Sequence, residues 1–382
     1  MLRVALIGSG KIAKAHALQI RSVAGCELIA VCSRELQKAK DFSERYKIKD
    51  YFDDVATLVT KARPDAVHIT TPPQSHFEIA KLCLELGCHV YVEKPFTLNA
   101  KQAETLLSLA EQKVRKLTVG HNQQFSTSTR RMRALIHGGY LGGSPVHMES
   151  HYGYDLGDPT YARAVLGDKN HWVRSLPGKL LHNIISHGIA RIAEFLKSDD
   201  PQVFAFGLVS PFLKKMGESE LMDELRVTIC EQEQTTAYFT FSSQMRPLIH
   251  EFRIYGPENG LLLDQDHDVL IRLRGRKFKS YADTFIPPML FAKQYFGNLI
   301  GNAGRFLARE LHKNSGMEYL MKAFYRCIRE DAPVPIPYHE ILRTARIMDA
   351  IFEQLQACGS QSELAARARS VAVAGFQPRA AS

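Results

Sequence analysis

A chain of 382 residues with 45% apolar and 23% charged side chains has interior enough for two packed cores and is too apolar for a disordered polymer. Its formal charge of +9 permits contact with acidic partners, but the basic residues are spread along helical segments without stacking aromatics, so no nucleic-acid module is expected. Seven cysteines without a C-x-x-C pair argue against a zinc site or a disulfide framework; no metal is expected, and the thiols are read as reduced.

Leu2-Arg3-Val4-Ala5-Leu6-Ile7 is apolar with almost no alternation, the pattern of a strand buried on both faces of a parallel sheet. A strand at residue 2 leaves no room for a leader peptide, and no apolar run reaches membrane-spanning length, so the cytoplasm is the expected location. Gly8-Ser9-Gly10-Lys11-Ile12-Ala13 follows: Gly8 for a tight turn, Gly10 for approach of backbone to a pyrophosphate, Ala13 for close helix packing. A helix from Lys11 to about Val23 then aims its free amides and positive dipole end at that pyrophosphate.

The second strand, 27–32, ends at Ser33-Arg34, with no carboxylate for the ribose hydroxyls. A guanidinium beside a small hydroxyl suits a 2′-phosphate, so NADP is expected, with NAD the alternative. The plainer reading of the pair is that Ser33 caps a helix over 34–46 and Arg34 is merely solvated. Residues 65–70 read as another central strand and Thr71-Pro72-Pro73-Gln74-Ser75-His76 as the loop after it, with Ser75 placed to cap a helix over 76–86. His89-Val90-Tyr91-Val92-Glu93 delivers Lys94 to the carboxyl edge of the sheet, where ligands of open α/β sheets collect. Asn122, just beyond the strand ending at Gly120, stands at a further edge position near the expected nicotinamide; His121 is a weaker candidate.

These motifs, together with Gly87-Cys88-His89-Val90 and Glu93-Lys94-Pro95, resemble the glucose-fructose oxidoreductase, inositol dehydrogenase and MocA (Gfo/Idh/MocA) family; the likeness is clear to about Phe125 and fainter beyond, where Gly178 to His187 is similar to a second family signature. It implies an α/β fold: an N-terminal Rossmann doubly wound parallel sheet over 1–122, then an α+β domain with an open, mostly antiparallel sheet over 123–358. A flexible tail is expected from 359 to 382. It also implies NAD(P) held by Gly8, Ser9, Gly10, Lys11, Ile12, Ser33, Arg34, Thr71, Pro72, His76, Glu93 and Asn122, a cis Lys94-Pro95 bond, and a sugar, polyol or nucleotide-sugar substrate.

Oxidising a secondary alcohol requires a base for the hydroxyl proton and a cation or donor for the oxygen. Lys94, a compact ammonium with rotatable donors, fits the second task, and His187 fits the first because imidazole titrates nearest neutrality. His182 competes with it. Where the family pattern has Asp-x-x-x-His this chain has Asn183, one helical turn before His187, and an amide can orient but cannot take a proton. Between the two signatures runs a polar-aromatic stretch that includes Asp158 and Tyr161; Tyr152, Trp172 and Arg174 are its first candidates for the substrate. Two other outcomes fit the same residues: an NAD-dependent glycosidase working by transient oxidation and elimination, or a non-catalytic cofactor sensor.

Further along, 203–206, 225–230, 235–241, 250–255 and 260–264 alternate as antiparallel strands, and a homo-dimer or tetramer is expected to cover the sheet face that the helices near Asn183 leave open. Residues 289–311 carry an apolar stripe at helical spacing, flanked by Lys293, Arg305 and Arg309. A place in a subunit interface or over the active site is the commoner outcome for such a stripe; contact with an anionic membrane or a lipid-linked substrate is the sharper one. Helices are expected over 317–329 and 339–356.

Overall fold

The computed structural model describes residues 1–156, 165–231, 234–275, 277–311 and 314–374, with side chains described to residue 357. Asp158 and Tyr161 lie outside the described residues.

Six parallel strands make the first sheet: β1 (Leu2–Ile7), β2 (Cys26–Cys32), β3 (Asp50–Phe52), β4 (Ala66–Ile69), β5 (His89–Val92) and β6 (Leu117–Val119), in the order β3-β2-β1-β4-β5-β6. That is the doubly wound order of dinucleotide-binding folds, with the crossover helices on both faces. Those helices are α1 (Lys11–Ser22), α2 (Leu36–Tyr46), α3 (Val55–Ala62), α4 (His76–Glu85) and α5 (Ala100–Gln112). Val4, Ala5, Leu6, Val67, Ile69 and Val90 have no exposed surface, which is why the strands read as unbroken apolar runs. The edge at which β1 and β4 send the chain in opposite directions carries Gly8, Thr70 and the loops after them.

After α6 (Thr127–His137), β7 (His147–Gly153) opens a second sheet. Following α7 (Lys179–Ile184) and α8 (Ser186–Ala193) come β8 (Gln202–Leu208), the short helix α9 (Pro211–Lys215), β9 (Glu224–Cys230), β10 (Thr236–Ser242), β11 (His250–Tyr255), β12 (Asn259–Asp264) and β13 (Val269–Arg274). The order is β13-β12-β11-β7-β10-β9-β8, and only β7 with β10 pairs parallel. Helix α8 packs on one face; Gly188 lies so close to Phe239 that a Cβ there would stand 2.3 Å from the ring. The opposite face leaves Phe204, Phe206 and Tyr238 exposed.

Three helices close the chain: α10 (Ala282–Leu307), α11 (Ser315–Arg329) and α12 (Tyr338–Ala374). Met317, Leu320, Phe324 and Tyr325 of α11 are buried in the core of the first sheet, whereas Ile347, Ile351 and Phe352 of α12 join the core of the second. The division of cores therefore does not follow one cut near residue 122. Helix α12 runs to Ala374, and residues 375–382 lie outside the described ones.

Candidate active site

The first turn is built as a phosphate cradle. Gly8 has φ +108°, and a Cβ added to it would stand 2.7 Å from the Thr70 hydroxyl and 2.9 Å from its carbonyl carbon, so only glycine fits. A Cβ on Gly10 would meet nothing within 4 Å, no side chain caps α1, and no acid stands in its first turn. Open space in front of uncapped amides at a helix start suits a pyrophosphate. Lys11 and Ile12 are exposed beside it.

At the end of β2 the Ser9 hydroxyl donates to Ser33 Oγ at 3.0 Å, and Arg34 is exposed. Ser33 does not cap α2, which begins at Leu36 with Glu35 at its cap position. Two carboxylates that the sequence pattern did not reveal approach this edge: Asp53 and Asp54, both of which act on the Cys32 thiol, although burial is the main reason it is pushed up to about 12. Asp54 accepts from Thr57 N and so caps α3.

The other edge loops are tied together by His76. It is fully buried, with Nε2 2.8 Å from Thr71 O and Nδ1 2.9 Å from Pro95 O. Its ring is engaged by the protein, so any effect on a cofactor runs through the position of Thr71 and Pro72. Ser75 does not cap α4; its hydroxyl donates to Thr71 Oγ1 and Pro72 O. Gln74 reaches across to donate to Trp172 O and Ser175 Oγ, both at 2.8 Å, which lays the Trp172 segment over this edge.

Lys94 follows β5, and its bond to Pro95 is cis, as the resemblance implied. Its ammonium donates to Asn183 O at 2.9 Å, bridging from the first sheet to α7. Burial lowers the Lys94 pKa, partly countered by Glu93. Glu93 is buried; burial pushes its carboxyl up, but His16 and Lys94 outweigh that and hold it below the usual range.

Behind Glu93 lies a buried chain of polar groups. Glu93 Oε1 meets His16 Nε2 at 2.8 Å, His16 Nδ1 meets His68 Nδ1 at 2.9 Å, and His68 Nε2 meets the Tyr325 hydroxyl at 2.8 Å. His16 thus bridges Glu93 and His68, and His68 carries the line on to Tyr325. His68 is kept neutral by burial and then by His16. The chain fixes Glu93, whose Oε2 accepts the Lys94 backbone N–H at 3.1 Å.

His187 sits on the facing helix α8, buried, with Nδ1 unpartnered. Around it stand His121, 5.9 Å between ring centroids, and Tyr152 at 6.5 Å. Gln123 Nε2 donates to the Tyr152 hydroxyl at 3.0 Å, and the His250 ring stands edge-on to Tyr152 at 4.6 Å. Arg191 is buried beside them, its guanidinium 5.7 Å from the Tyr152 ring centroid; Nη2 donates to Gln123 Oε1, while Nε and Nη1 have no protein partner. Burial, then Lys94, His121, Arg191 and His250, hold His187 well below 6.5, so it is neutral at physiological pH.

The structure thus brings Lys94, Asn183, His187 and Tyr152 together. His182 points elsewhere: it stacks on Phe352 and its Nε2 lies 3.3 Å from Thr97 O. Arg174 is also turned away from a free role, its guanidinium donating to Glu218 at 2.6 Å and to Val165 O. Asn122 opens a short turn over 122–125 against Gly316 of α11. Sequence reasoning missed His16, His68, Gln123, Arg191 and His250. Only His68 carried a local signal, a polar ring inside the apolar run Ala66–Ile69.

A two-domain protein with a dinucleotide cradle in one sheet and a buried cation–imidazole cluster between the two is the class that this fold and site define. Residues 2–121 match the model of the oxidoreductase family with the NAD-binding Rossmann fold, GFO_IDH_MocA, and over that stretch the chain is similar to those oxidoreductases. It is 33% identical over 142 residues to D-glucoside 3-dehydrogenase of Escherichia coli, covering 37% of this chain and 40% of that one. Over 149 residues it is 28% identical to UDP-N-acetylglucosamine 3-dehydrogenase of Acidithiobacillus ferrooxidans, covering 39% and 44%. The chain therefore aligns with less than half the length of these curated relatives. Across both domains its fold is similar to the WlbA dehydrogenase from Bordetella pertussis, solved with NADH and UDP-GlcNAcA: TM-score 0.73 at 15% identity, covering 93% of this chain and 96% of that one.

Proposed function

We propose that this protein is an NAD(P)-dependent dehydrogenase that interconverts a secondary alcohol and a ketone on a sugar or nucleotide sugar. The observation that carries the reading is the convergence of the Lys94 ammonium, from the first sheet, with the unpaired imidazole nitrogen of His187, from the second domain. The names of the similar dehydrogenases support the substrate class.

A nicotinamide dinucleotide held at the Gly8–Gly10 turn would supply the redox chemistry. Lys94 donates to the reacting oxygen and stabilises the charge that develops there. His187, neutral before reaction, accepts the hydroxyl proton in oxidation and returns it in reduction. Its cationic neighbours make the imidazolium short-lived, and Asn183 supplies no negative charge to prolong it. Tyr152 and Trp172 border the substrate, and the free nitrogens of Arg191 suit a substrate oxygen or carboxylate. NADP is favoured over NAD by Ser33 and Arg34; the nearby Asp53 and Asp54 oppose that preference. The outer face of the second sheet, with Phe204, Phe206 and Tyr238, serves a homo-oligomer.

The test is cofactor absorbance on mixing the protein and NADP+ or NAD+ with a panel of glucosides and UDP-sugars. Turnover with at least one sugar is expected, and His187→Asn should bind cofactor normally yet turn over about 100-fold more slowly. Undiminished turnover in His187→Asn removes its assigned role, and tighter binding of NADH than NADPH removes the NADP preference.

A further inference from the structure

Helix α10 is oriented with its polar side inward. Gln294 accepts from Arg272 N and donates to Arg272 O; Asn298 makes the same pair of contacts with Leu270. Asn302 donates to His267 O at 2.8 Å, and Arg305 donates to Asp268 at 3.1 Å. These side chains occupy the free edge of β13 as another strand would. At 100° per residue the opposite side of the helix holds Met289, Phe296, Ile300 and Leu307, and these are 62, 63, 58 and 81% exposed. In the whole of α10 the only described residue that is buried is Asn298.

The segment that bears this stripe is strongly basic. Between residues 272 and 311 the sequence has eight Lys or Arg and two acids, which is most of the chain's net +9. One acid, Asp283, is engaged with Phe278 N. Beside the helix an open cleft of about 820 Å³ is lined by Arg131, Arg272, Arg274 and Lys293 and by no acid, with Leu135 and Phe291 among its apolar residues. Burial and then Arg305 disfavour the charge on Arg131, Asp268 offsets part of this, and Arg272 adds to it.

We propose that α10 docks on an anionic lipid surface, its apolar stripe at headgroup depth and the cations of the cleft against lipid phosphates. A helix with one apolar face and basic flanks lies in a bilayer interface, and no described helix is long and apolar enough to cross. A second copy of the chain would bring the same cations against one another, whereas anionic headgroups neutralise them. The proposal stands independently of the dehydrogenase reading.

Flotation of the full chain with vesicles tests it. The protein should float with vesicles of phosphatidylcholine mixed with phosphatidylglycerol, less so at high salt, and not with phosphatidylcholine alone. Phe296→Gln/Ile300→Gln/Leu307→Gln should weaken binding more than about tenfold, and Arg274→Gln or Lys293→Gln about fivefold each. Thermal unfolding and cofactor binding of the variants, expected to match the parent, show that the fold is kept. No flotation with the anionic vesicles, equal flotation with phosphatidylcholine, or full binding by the triple variant overturns the proposal. So does a dimer in light scattering that the triple variant dissociates without any vesicle binding, which would assign the stripe to a second copy.

Discussion

The first sheet is covered by helices on both sides and its strands β4 and β6 are buried throughout, whereas the second is covered on one side and shows Phe204, Phe206 and Tyr238 to solvent on the other. The enclosed sheet presents a cradle at its edge and one cation; the half-covered sheet presents a buried imidazole and an open face. Enclosure on both sides fixes a backbone well enough to hold Gly8 at φ +108° against Thr70. One-sided cover leaves surface for association. Chemistry is assigned to the seam, where Lys94 after β5 faces His187 of α8, and the difference between the two sheets can be probed from there outward.

The largest effect is expected at the seam. Lys94→Met removes the cation contributed by the enclosed sheet and should lower kcat about 1000-fold, with cofactor affinity, read by fluorescence titration, changed only a few-fold. A kcat within tenfold of the parent would mean that the half-covered domain does the chemistry alone. Next comes packing: Leu6→Ala, at a site with no exposed surface, should cost about 3 kcal/mol in urea unfolding.

Acid should single out the buried, neutral imidazoles. Burial holds His121 and His182 at about 4, so between roughly pH 6.5 and 4 the unfolded chain binds protons that the folded protein refuses. Stability is full above that window and falls as pH drops through it, by up to about 1.4 kcal/mol per pH unit for each histidine. A flat melting temperature across the window would show that these rings protonate in place. The smallest effect belongs to the open face: Phe206→Ser should change the unfolding free energy of the monomer by less than about 0.5 kcal/mol while weakening self-association in sedimentation.

Legibility in the sequence followed the same division. Strands β1, β2, β4 and β5 could be read because burial on both faces forces unbroken apolar runs, and the glycine turn and Lys94 because backbone geometry dictates the residue. Strand β3 has three residues and gave no pattern. Strand β13 carries Arg272 and Arg274, and β7 carries His147, Glu149 and His151, so charged and polar side chains mask the alternation in both. In the site, His187 and Asn183 were found through a motif. Gln123, Arg191 and His250 were not, since each becomes significant only through neighbours distant in sequence. Arg174 looked available until the fold brought Glu218 to it.

Tyr325 illustrates how far such connections reach: its hydroxyl closes a buried polar line that runs from Glu93, next to Lys94, yet it lies 257 residues after His68. A gene fragment encoding only the first 122 residues would lack the helix bearing Tyr325 and leave a greasy trough where Met317, Leu320 and Phe324 belong. The nucleotide-binding lobe thus draws part of its interior from a helix far downstream of its last strand.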